Sequence, residues 1–221
     1  ESGSGKTQTF FSITGLLSNN GACDGSALFK GINLLGKDSK NISKLRGKEI
    51  GFIFQDPMTS LTPHMKIGNQ MIEALIYHEK TGKKEALKKA MDILSIVRMP
   101  RIENIMQKYP HELSGGMKQR VMIGISLMCN PSLIIADEPT TALDVTTQKD
   151  ILNIFNELKL NKNITIALIS HDIGVIAEVS DDIMVMNEGK LIEKGSCNQI
   201  LKEPKEEYTK HLLSCIPEWI N

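Results

Sequence analysis

Three short, almost uninterrupted apolar runs mark the chain: EIGFIF at residues 49–54, SLIIAD at 132–137 and ITIALIS at 164–170. Runs of this length without alternation are typical of strands buried on both faces, as in a parallel sheet. Between them lie segments with apolar residues spaced near 3.6, which predict helices. Two such sets are Leu87, Ala90, Met91, Leu94 and Val97, and Ile151, Ile154, Phe155 and Leu158. Strands that alternate with helices predict an α/β fold with right-handed crossovers.

The alternation is interrupted between residues 66 and 107, where two or three helical patterns follow one another without a strand. Pro100 and Pro110 end these patterns, and we expect a helical insertion that stands off the sheet. The DVTT segment at 144–147 predicts a helix start capped by hydroxyl groups. After Asp181 the chain predicts a hairpin that turns around residues 187–189, followed by two short helices.

Composition narrows the class of protein. The chain has 221 residues, and 26 Lys and Arg balance 26 Asp and Glu, so no whole-chain charge attracts it to nucleic acid or anionic lipid. An apolar content of 41% suits a globular domain, and no apolar stretch approaches the roughly 20 residues of a membrane span. The four cysteines lack metal-site spacing, which favours reduced, structural thiols in an intracellular protein.

Near the start of the sequence, GSGKT at residues 3–7 matches the end of the phosphate-loop pattern G-x-x-x-x-G-K-[ST]. Glycines in such a loop let backbone N–H groups converge on phosphate oxygens, and the helix predicted from about Lys6 to Leu17 directs its positive end at the same anion. Lys6 would reach the β- and γ-phosphates and Thr7 would bind Mg²⁺. The alternative is a glycine-rich loop that only caps a helix.

Two adjacent acids, Asp137 and Glu138, follow the apolar run at 132–137. The carboxyl edge of a parallel sheet is where α/β folds bind their ligands. Asp137 can therefore hold Mg²⁺, and Glu138 can orient or deprotonate an attacking water. Adjacent acids at a strand end can also be surface residues, but a phosphate loop in the same chain favours the magnesium and water-activating pair.

A second glycine-rich helix start, Ser114-Gly115-Gly116, precedes the apolar run VMIGISLM. It can be a capped helix with permissive glycines or a second phosphate-binding terminus. One site has little use for two such loops from one chain, which indicates a site completed by a partner. His171 and Gln55 each follow a predicted buried strand and could face the γ-phosphate and the metal or water, although either could be an ordinary loop residue.

These motifs, in this order, resemble the ATP-binding subunit of ATP-binding cassette (ABC) transporters over essentially the whole chain. ESGSGKT is similar to the Walker A loop, Gln55 to the Q-loop, LSGGMKQR to the signature motif, LIIADEP to Walker B, TALD to the D-loop and His171 to the switch histidine. The segments IFQDPMTSLTPHMKIGNQM, ADEPTTALDVTTQ and EEYTKHLLSCIP resemble the oligopeptide, dipeptide and nickel importer group. Within it, SGKTQTFFSITGLLSNNG and SLMCNPSLIIADEP are most similar to the D-type ATPase of oligopeptide permeases.

The resemblance implies an α/β P-loop NTPase: a parallel core sheet flanked by helices in one domain over residues 1–221, with a helical subdomain at about 66–130 between core strands. It implies ATP and Mg²⁺ as cofactors. The residues it assigns to catalysis are Glu138, His171 and Gln55, and those to the metal are Thr7, Gln55 and Asp137. Those it assigns to the nucleotide are Glu1, Ser2, Gly3, Ser4, Gly5, Lys6, Thr7, Gln8, Ser114, Gly115, Gly116 and Asp144.

By the same resemblance, two ATPase subunits pair head to tail with two ATP molecules between them. They work with two transmembrane permease subunits at the cytoplasmic face of the cell membrane, and an extracytoplasmic binding protein supplies the substrate. Residues 56–65 and the helical insertion are the expected contact with the permeases. Nucleic acid is not an expected partner.

The chain departs from the family pattern at both ends. The strand that leads into the phosphate loop, the aromatic residue that stacks on adenine and a cysteine-rich tail have no counterpart in it. We therefore expect a fragment that lacks the N-terminal strands of the full fold and binds ATP poorly by itself. A soluble ABC ATPase of nucleic-acid or ribosome metabolism, a P-loop kinase or GTPase, and a non-hydrolysing truncated relic remain as alternatives.

Overall fold

The computed structural model describes residues 3–18, 20–35 and 39–215. Its strands are β1 (Leu28–Phe29), β2 (Ile32–Asn33), β3 (Ile50–Ile53), β4 (Leu133–Asp137), β5 (Thr165–Ile169), β6 (Asp182–Asn187) and β7 (Lys190–Ser196). Its helices are α1 (Lys6–Ile13), α2 (Ser39–Leu45), α3 (Pro57–Ser60), α4 (Ile67–Glu79), α5 (Lys83–Ile96), α6 (Ile102–Gln107), α7 (Gly115–Leu127), α8 (Val145–Lys162), α9 (Ile173–Val179), α10 (Cys197–Lys202) and α11 (Glu207–Ser214). No helix in this described part of the chain is long and apolar enough to cross a membrane.

The chain divides into two compact units. We call Asp38–Ala167 the middle unit, and Glu1–Lys37 with Leu168–Asn221 the terminal unit, after their positions in the sequence. The boundary falls inside β5, between residues 167 and 168.

The middle unit is built on the predicted apolar strands. Strands β3 and β4 pair in parallel, with Ile53 opposite Ala136, and the strand order of this sheet is β3–β4–β5. Both β3 and β4 are largely buried, as the unbroken apolar runs predicted. The parallel pairing brings the carboxyl ends of β3 and β4 to one edge of the sheet, which is where the polar residues that follow them are placed.

Helices α3 to α7 all lie between β3 and β4 in the sequence, which agrees with the predicted succession of helices without a strand. Helix α4 packs against α5, α6 and α7, and α7 also packs against β3. Their shared core consists of side chains with almost no exposed surface, among them Met71, Leu75, Leu94 and Ile123. Burial of each such side chain stabilises the fold by about 1.5–3 kcal/mol, which holds α7 firmly in place.

The terminal unit contains two antiparallel hairpins, β1–β2 and β6–β7, with α1 and α9 to α11. The β6–β7 turn lies at Glu188 and Gly189, both with positive φ, as predicted for the segment 187–189. The buried carboxylate of Glu193 on β7 accepts hydrogen bonds from the backbone N–H groups of Lys205, at 2.9 Å, and Glu206, at 3.2 Å. The Lys205 N–H is the main reason that the pKa of Glu193 lies below its ordinary value.

Three local predictions were wrong in detail. Helix α1 ends at Ile13 instead of near Leu17, because Gly15, with a φ of 65°, allows Leu16 N–H to bond back to Phe11 O at 2.8 Å. Strand β5 is less buried than predicted: Thr165 is exposed and residues 166–168 are half-buried, whereas β3, at the other end of the strand order, is covered by α7. The cap of α8 is the carboxylate of Asp144 rather than a hydroxyl.

Candidate functional site

The phosphate-loop residues adopt the conformation that the glycines were expected to permit. Gly3 and Gly5 have φ values of 85° and 90°, a region that other residues rarely occupy, and Ser4 between them is buried. Gly5 is the N-cap residue of α1, and no described side chain caps this helix start. Backbone N–H groups at such a start are available to an anion, and the helix dipole favours negative charge there.

The turn of the β6–β7 hairpin packs against this loop within the terminal unit. The N–H of Gly189 donates a hydrogen bond to the carbonyl of Ser4 at 3.1 Å, and Gly5 is so close that a Cβ on it would lie 3.3 Å from Gly189 Cα. Lys6 Nζ donates to the Ser4 hydroxyl at 2.9 Å. Thr7 and Gln8 continue the first turn of α1, half-buried and exposed, respectively. Glu1 and Ser2 lie outside the described residues.

The two predicted acids differ in environment. Asp137 is the last residue of β4 and is buried, whereas Glu138 is half-buried. Glu138 has a φ of 49°, an uncommon conformation for a side-chain-bearing residue, and its Oε2 accepts a hydrogen bond from Thr141 Oγ1 at 2.9 Å. Backbone strain of this kind is concentrated at functional sites, where the surrounding structure maintains it.

Gln55 lies at the same edge of the sheet as Asp137. Strand β3 ends at Ile53, which is paired with Ala136 of β4, and β4 ends one residue later at Asp137. Gln55 lies two residues after the end of β3, at the edge where Asp137 ends β4. The Gln55 side chain is exposed, and α3 begins two residues later. The amide oxygen and the carboxylate are both hard oxygen donors of the kind that Mg²⁺ prefers.

The signature segment packs against the first turn of α8, directly after the D-loop. Ser114 Oγ accepts from Met117 N–H at 3.4 Å and caps α7, with Ser114 and Gly115 exposed. A Cβ on Gly116 would lie 2.5 Å from Thr147 Cγ2, so only glycine fits against α8 at this point. Among the described residues, the nearest atom to a Cβ on Gly115 would be Leu143 Cδ2, at 4.0 Å. The two loops therefore form one surface of the middle unit.

Asp144 begins α8 and holds this contact in place. Its Oδ1 accepts from Thr147 N–H at 3.0 Å and its Oδ2 accepts from Thr147 Oγ1 at 2.7 Å. The hydroxyl of Thr147, and after it the Thr147 N–H, keep the pKa of Asp144 below its ordinary value. The second bond fixes the rotamer of Thr147, so the methyl group that faces Gly116 cannot turn away without breaking it.

His171 follows β5 in the terminal unit and is exposed. Its neighbour Asp172 caps α9 by accepting from Gly174 N–H at 2.8 Å and Val175 N–H at 3.3 Å, while Ser170 Oγ accepts from Asp172 N–H at 3.0 Å. These bonds define the turn that carries the imidazole.

The structure distributes the candidate residues over both units. Gly3 to Gln8 and His171 belong to the terminal unit; Gln55, Ser114–Gly116, Asp137, Glu138 and Asp144 belong to the middle unit. Within the middle unit, the signature and D-loop residues lie together, and Gln55 and Asp137 share a sheet edge. Sequence reasoning missed Thr141, and it expected the hydroxyls at 144–147 to cap α8 without pairing Thr147 with Asp144. The available signal was spacing, since each hydroxyl stands three residues after an acid, where a turn or a helix cap brings the two together.

Comparison with known proteins identifies the family. The family model described as "ABC transporter" matches residues 1–141. The chain therefore belongs to the ABC transporter family, as the motifs predicted.

Curated relatives give a narrower similarity. The oligopeptide transport ATP-binding protein OppD of Haemophilus influenzae is 48% identical over 217 residues, which are 98% of this chain and 67% of that protein. OppD of Salmonella typhimurium is 46% identical, with 98% of this chain and 65% of that protein covered. The dipeptide transport ATP-binding protein DppD of Bacillus subtilis is 45% identical, with 98% of this chain and 65% of that protein covered. The chain thus spans about two thirds of the length of these relatives, and the predicted similarity to the D-type ATPases is confirmed.

Solved structures confirm the predicted α/β ABC cassette fold. The ATP-binding cassette MJ0796, in a dimeric post-hydrolysis state bound to ADP and Pi, aligns with a TM-score of 0.78 and 28% identity over 89% of this chain and 82% of that one. The cbiO1 protein of Clostridium perfringens, part of the cbiONQ ABC transporter complex, aligns with a TM-score of 0.77 and 27% identity over 92% of this chain and 77% of that one.

Proposed function

We propose that this chain is the ATP-binding and ATP-hydrolysing part of an importer for oligopeptides or dipeptides. The observation that carries the proposal is the presence of two glycine-rich helix starts of different construction in one chain. One follows Gly5 and has no side-chain cap among the described residues, and the other, at Ser114, is exposed and braced against the D-loop. The names of the relatives, which are oligopeptide and dipeptide transport ATP-binding proteins, support the substrate class.

The nucleotide roles follow the chemistry of each residue. Gly3, Ser4 and Gly5 form the loop around the phosphates, and Lys6 supplies a positive charge to the β- and γ-phosphates. Glu1 and Ser2, which lie outside the described residues, are assigned to the same nucleotide by the family motif. The first turn of α1, with Thr7 and Gln8, completes this cradle. The left-handed glycines and the helix start without a side-chain cap fit an anion of this kind.

The residues present also fit a magnesium ion. Thr7, Gln55 and Asp137 offer a hydroxyl, an amide oxygen and a carboxylate, which are hard oxygen donors. When bound, Mg²⁺ would neutralise part of the charge on the phosphate oxygens.

We assign hydrolysis to positioned protein groups, with no covalent enzyme intermediate. Glu138 acts as the general base that orients and deprotonates the attacking water, and the bond from Thr141 fixes its carboxylate. His171 donates a hydrogen bond toward the γ-phosphate, and Gln55 orients the water. Such a reaction depends mainly on positioning and on charge stabilisation.

The second glycine-rich start serves a neighbouring subunit. Ser114, Gly115 and Gly116 bind the phosphates of the nucleotide held by the other ATPase, and Asp144 lies beside them at the same interface. Two ATP molecules are then enclosed by two subunits, and the dimeric ADP-bound structure of MJ0796 supports this arrangement. ATP-driven closure and reopening would power transport as a ligand-biased, two-state motion.

The wider assembly follows the family. The chain forms one ABC-type ATPase domain whose helical subdomain, at about residues 66–130, contacts two transmembrane permeases together with residues 56–65. It is bound peripherally at the cytoplasmic face of the membrane, and a separate extracytoplasmic protein delivers the peptide. The second ATPase is a copy of this chain or a homologue of it.

Replacement of Glu138 by Gln tests the catalytic proposal. In the assembled transporter we expect ATP binding to persist while hydrolysis slows by roughly 10² or more, since a general base has been removed. Glu203→Gln, the same change at an exposed residue after α10, is the matched control and should hydrolyse ATP at the unaltered rate. Full turnover by the Glu138→Gln transporter would remove Glu138 from this role.

Uptake assays test the substrate class. A strain without the gene should lose uptake of labelled peptides and retain uptake of Ni²⁺. Loss of Ni²⁺ uptake alone would overturn the peptide assignment and leave the ATPase assignment standing.

A further inference from the structure

Arg120 connects three elements of the middle unit. It lies on α7, one turn after Gly116, and only 15% of its side chain is exposed. Its Nη2 donates to Asp150 Oδ2 on α8 at 2.7 Å, and its Nη1 donates to the backbone carbonyl of Arg98, just after α5, at 2.6 Å. A guanidinium that uses two separate donors in this way holds its partners in a defined geometry.

The residues that bond to Arg120 are connected to α8, the helix that follows the D-loop. Asp150 lies on α8, three residues after Thr147. Thr147 is hydrogen-bonded to Asp144 and packs against Gly116. The side chain of Arg98 forms an ion pair with Glu157, two turns further along α8. Helix α7 is therefore joined to α8 at Gly116 by packing and at Arg120 by a partly buried ion pair, and the end of α5 is tied to both helices.

We infer that Arg120 and Asp150 are positioning residues that fix the signature loop relative to the D-loop, so that Ser114–Gly116 and Asp144 meet a partner subunit as one rigid surface. The inference rests on the proposed function. Neither residue is assigned a contact with nucleotide; they act by holding α7 and α8 in register. Without the pair, Gly116 and Thr147 still touch, but the helices that carry them lose their second point of attachment.

A positioning role and a merely structural role predict different measurements. If the pair only stabilised the fold, its removal would lower the midpoint of unfolding and leave the turnover of folded protein unchanged. If it positions the signature loop, removal lowers kcat in folded transporter and leaves the affinity of the phosphate loop for ATP unaltered. A displacement of about 1 Å at a reacting site costs roughly 10²-fold in rate, so the effect is measurable.

The test uses Arg120→Gln, Asp150→Asn and the charge-exchanged double variant Arg120→Asp with Asp150→Arg, each in the intact gene product within the assembled transporter. Arg98→Gln is the matched control, because it removes the exposed ion pair with Glu157 and keeps the carbonyl that accepts from Arg120. For each variant we would measure the unfolding midpoint, the dissociation constant for ATP without turnover, and kcat.

We expect both single variants to lower kcat by about tenfold to a hundredfold at an unchanged dissociation constant. The double variant should recover part of the loss, and Arg98→Gln should behave as the parent. Unchanged kcat in both single variants, an equal loss in Arg98→Gln, or no recovery in the double variant would overturn the inference while the parent still hydrolyses ATP. A parent transporter that hydrolyses no ATP would overturn the proposed function itself, and the inference with it.

Discussion

The two glycine-rich helix starts of this chain are built in opposite ways. At the signature loop, α7 begins with the Ser114 cap, and eight of its thirteen residues are buried. At the phosphate loop, α1 has eight residues, none of them buried, and no described side chain caps its start. The signature loop is also packed against Thr147, whereas the phosphate loop is joined to the β6–β7 turn by a backbone bond from Gly189 N–H to Ser4 O.

This difference shows what each loop can do without a ligand. The protein alone determines the shape of the signature loop, because burial and side-chain bonds fix the helix behind it. The phosphate loop precedes a helix with no buried residue and no described side-chain cap, so we expect a bound nucleotide to add to its stability. Changes at the phosphate loop should therefore affect ligand binding first, and changes at the signature loop should affect the protein itself.

Lys6→Ala should separate binding from stability most clearly. Without nucleotide, the free energy of unfolding should stay within about 0.5 kcal/mol of the parent, as for most surface substitutions. With ATP at about 100 times the parent dissociation constant, the parent gains about 2.7 kcal/mol and the variant should gain almost nothing. Thermal unfolding with and without ATP measures both. Lys190→Ala, an exposed lysine beside Gly189, is the control and should keep the gain.

Gly116→Ala should have the reverse signature. The added methyl would lie 2.5 Å from Thr147 Cγ2, and overpacking of this kind costs about 1–3 kcal/mol. Denaturant unfolding without ATP should show that loss. Gly115→Ala, with 4.0 Å to its nearest neighbour, should destabilise less.

A second substitution identifies the cause of that loss. Thr147→Ser removes the methyl group that faces Gly116 and keeps the hydroxyl that bonds to Asp144, so it should restore much of the stability of Gly116→Ala. If Gly116→Ala and the double variant Gly116→Ala with Thr147→Ser are equally stable, the contact with the Thr147 methyl group is not the reason that residue 116 is a glycine.

Thr147→Val tests how the Thr147 hydroxyl affects the pKa of Asp144, the residue that caps α8. The Thr147 hydroxyl is the largest cause of the lowered pKa of Asp144, so its removal should raise that pKa toward the ordinary value of about 3.9. Because the folded pKa is below the unfolded one, the cap stabilises fully above the ordinary value and is lost as the pH falls through the folded value. Carbon-13 carboxyl titration measures the shift.

Glu207 provides the internal control for that titration. Its pKa is lowered by a hydrogen bond from Lys210, which does not involve Thr147. The pKa of Glu207 should therefore be the same in the parent and in Thr147→Val. An unmoved Asp144 would show that the hydroxyl does not hold this carboxylate.

The smallest expected effect belongs to Glu157→Gln. Glu157 and Arg98 form an ion pair in which 48% and 43% of the side chains are exposed. Exposed pairs contribute about 0.2–1 kcal/mol, and salt screens them. Urea unfolding at low and high salt should show a small loss that disappears at high salt. A salt-independent loss above that range would mean that Glu157 has a further structural role.

Most of the middle-unit core could be predicted from the chain. Unbroken apolar runs gave β3 and β4, and the 3.6-residue pattern gave α5 and α8, since one face of each helix is buried. Strand β5 looked the same in the sequence but is less buried than β3, because burial also depends on which helices pack over a strand, and the run itself does not encode that. Helix α1 was predicted too long because Gly15 was not recognised as its terminator.

The sequence predicted which residues form the candidate site, but only some of the contacts between them. The positions of Lys6, Ser114, Asp137 and Glu138 in their motifs were evident from spacing. Long-range contacts were not: nothing in the sequence pairs Gly116 with Thr147, or Arg120 with Asp150, because each pair joins different helices. The left-handed backbone of Glu138 also has no signature in residue type, since glycine or asparagine would be the ordinary choice there.

The central claim is that the signature loop of one subunit completes the ATP site of another. It is tested most directly by the structure of the intact Glu138→Gln protein, assembled with its ATPase partner and trapped with ATP and Mg²⁺. We predict that Ser114 Oγ lies within about 3 Å of a phosphate oxygen of the nucleotide held by the neighbouring subunit, a normal hydrogen-bond distance. A Ser114 that faces solvent, with no phosphate from a neighbour beside it, would contradict the account.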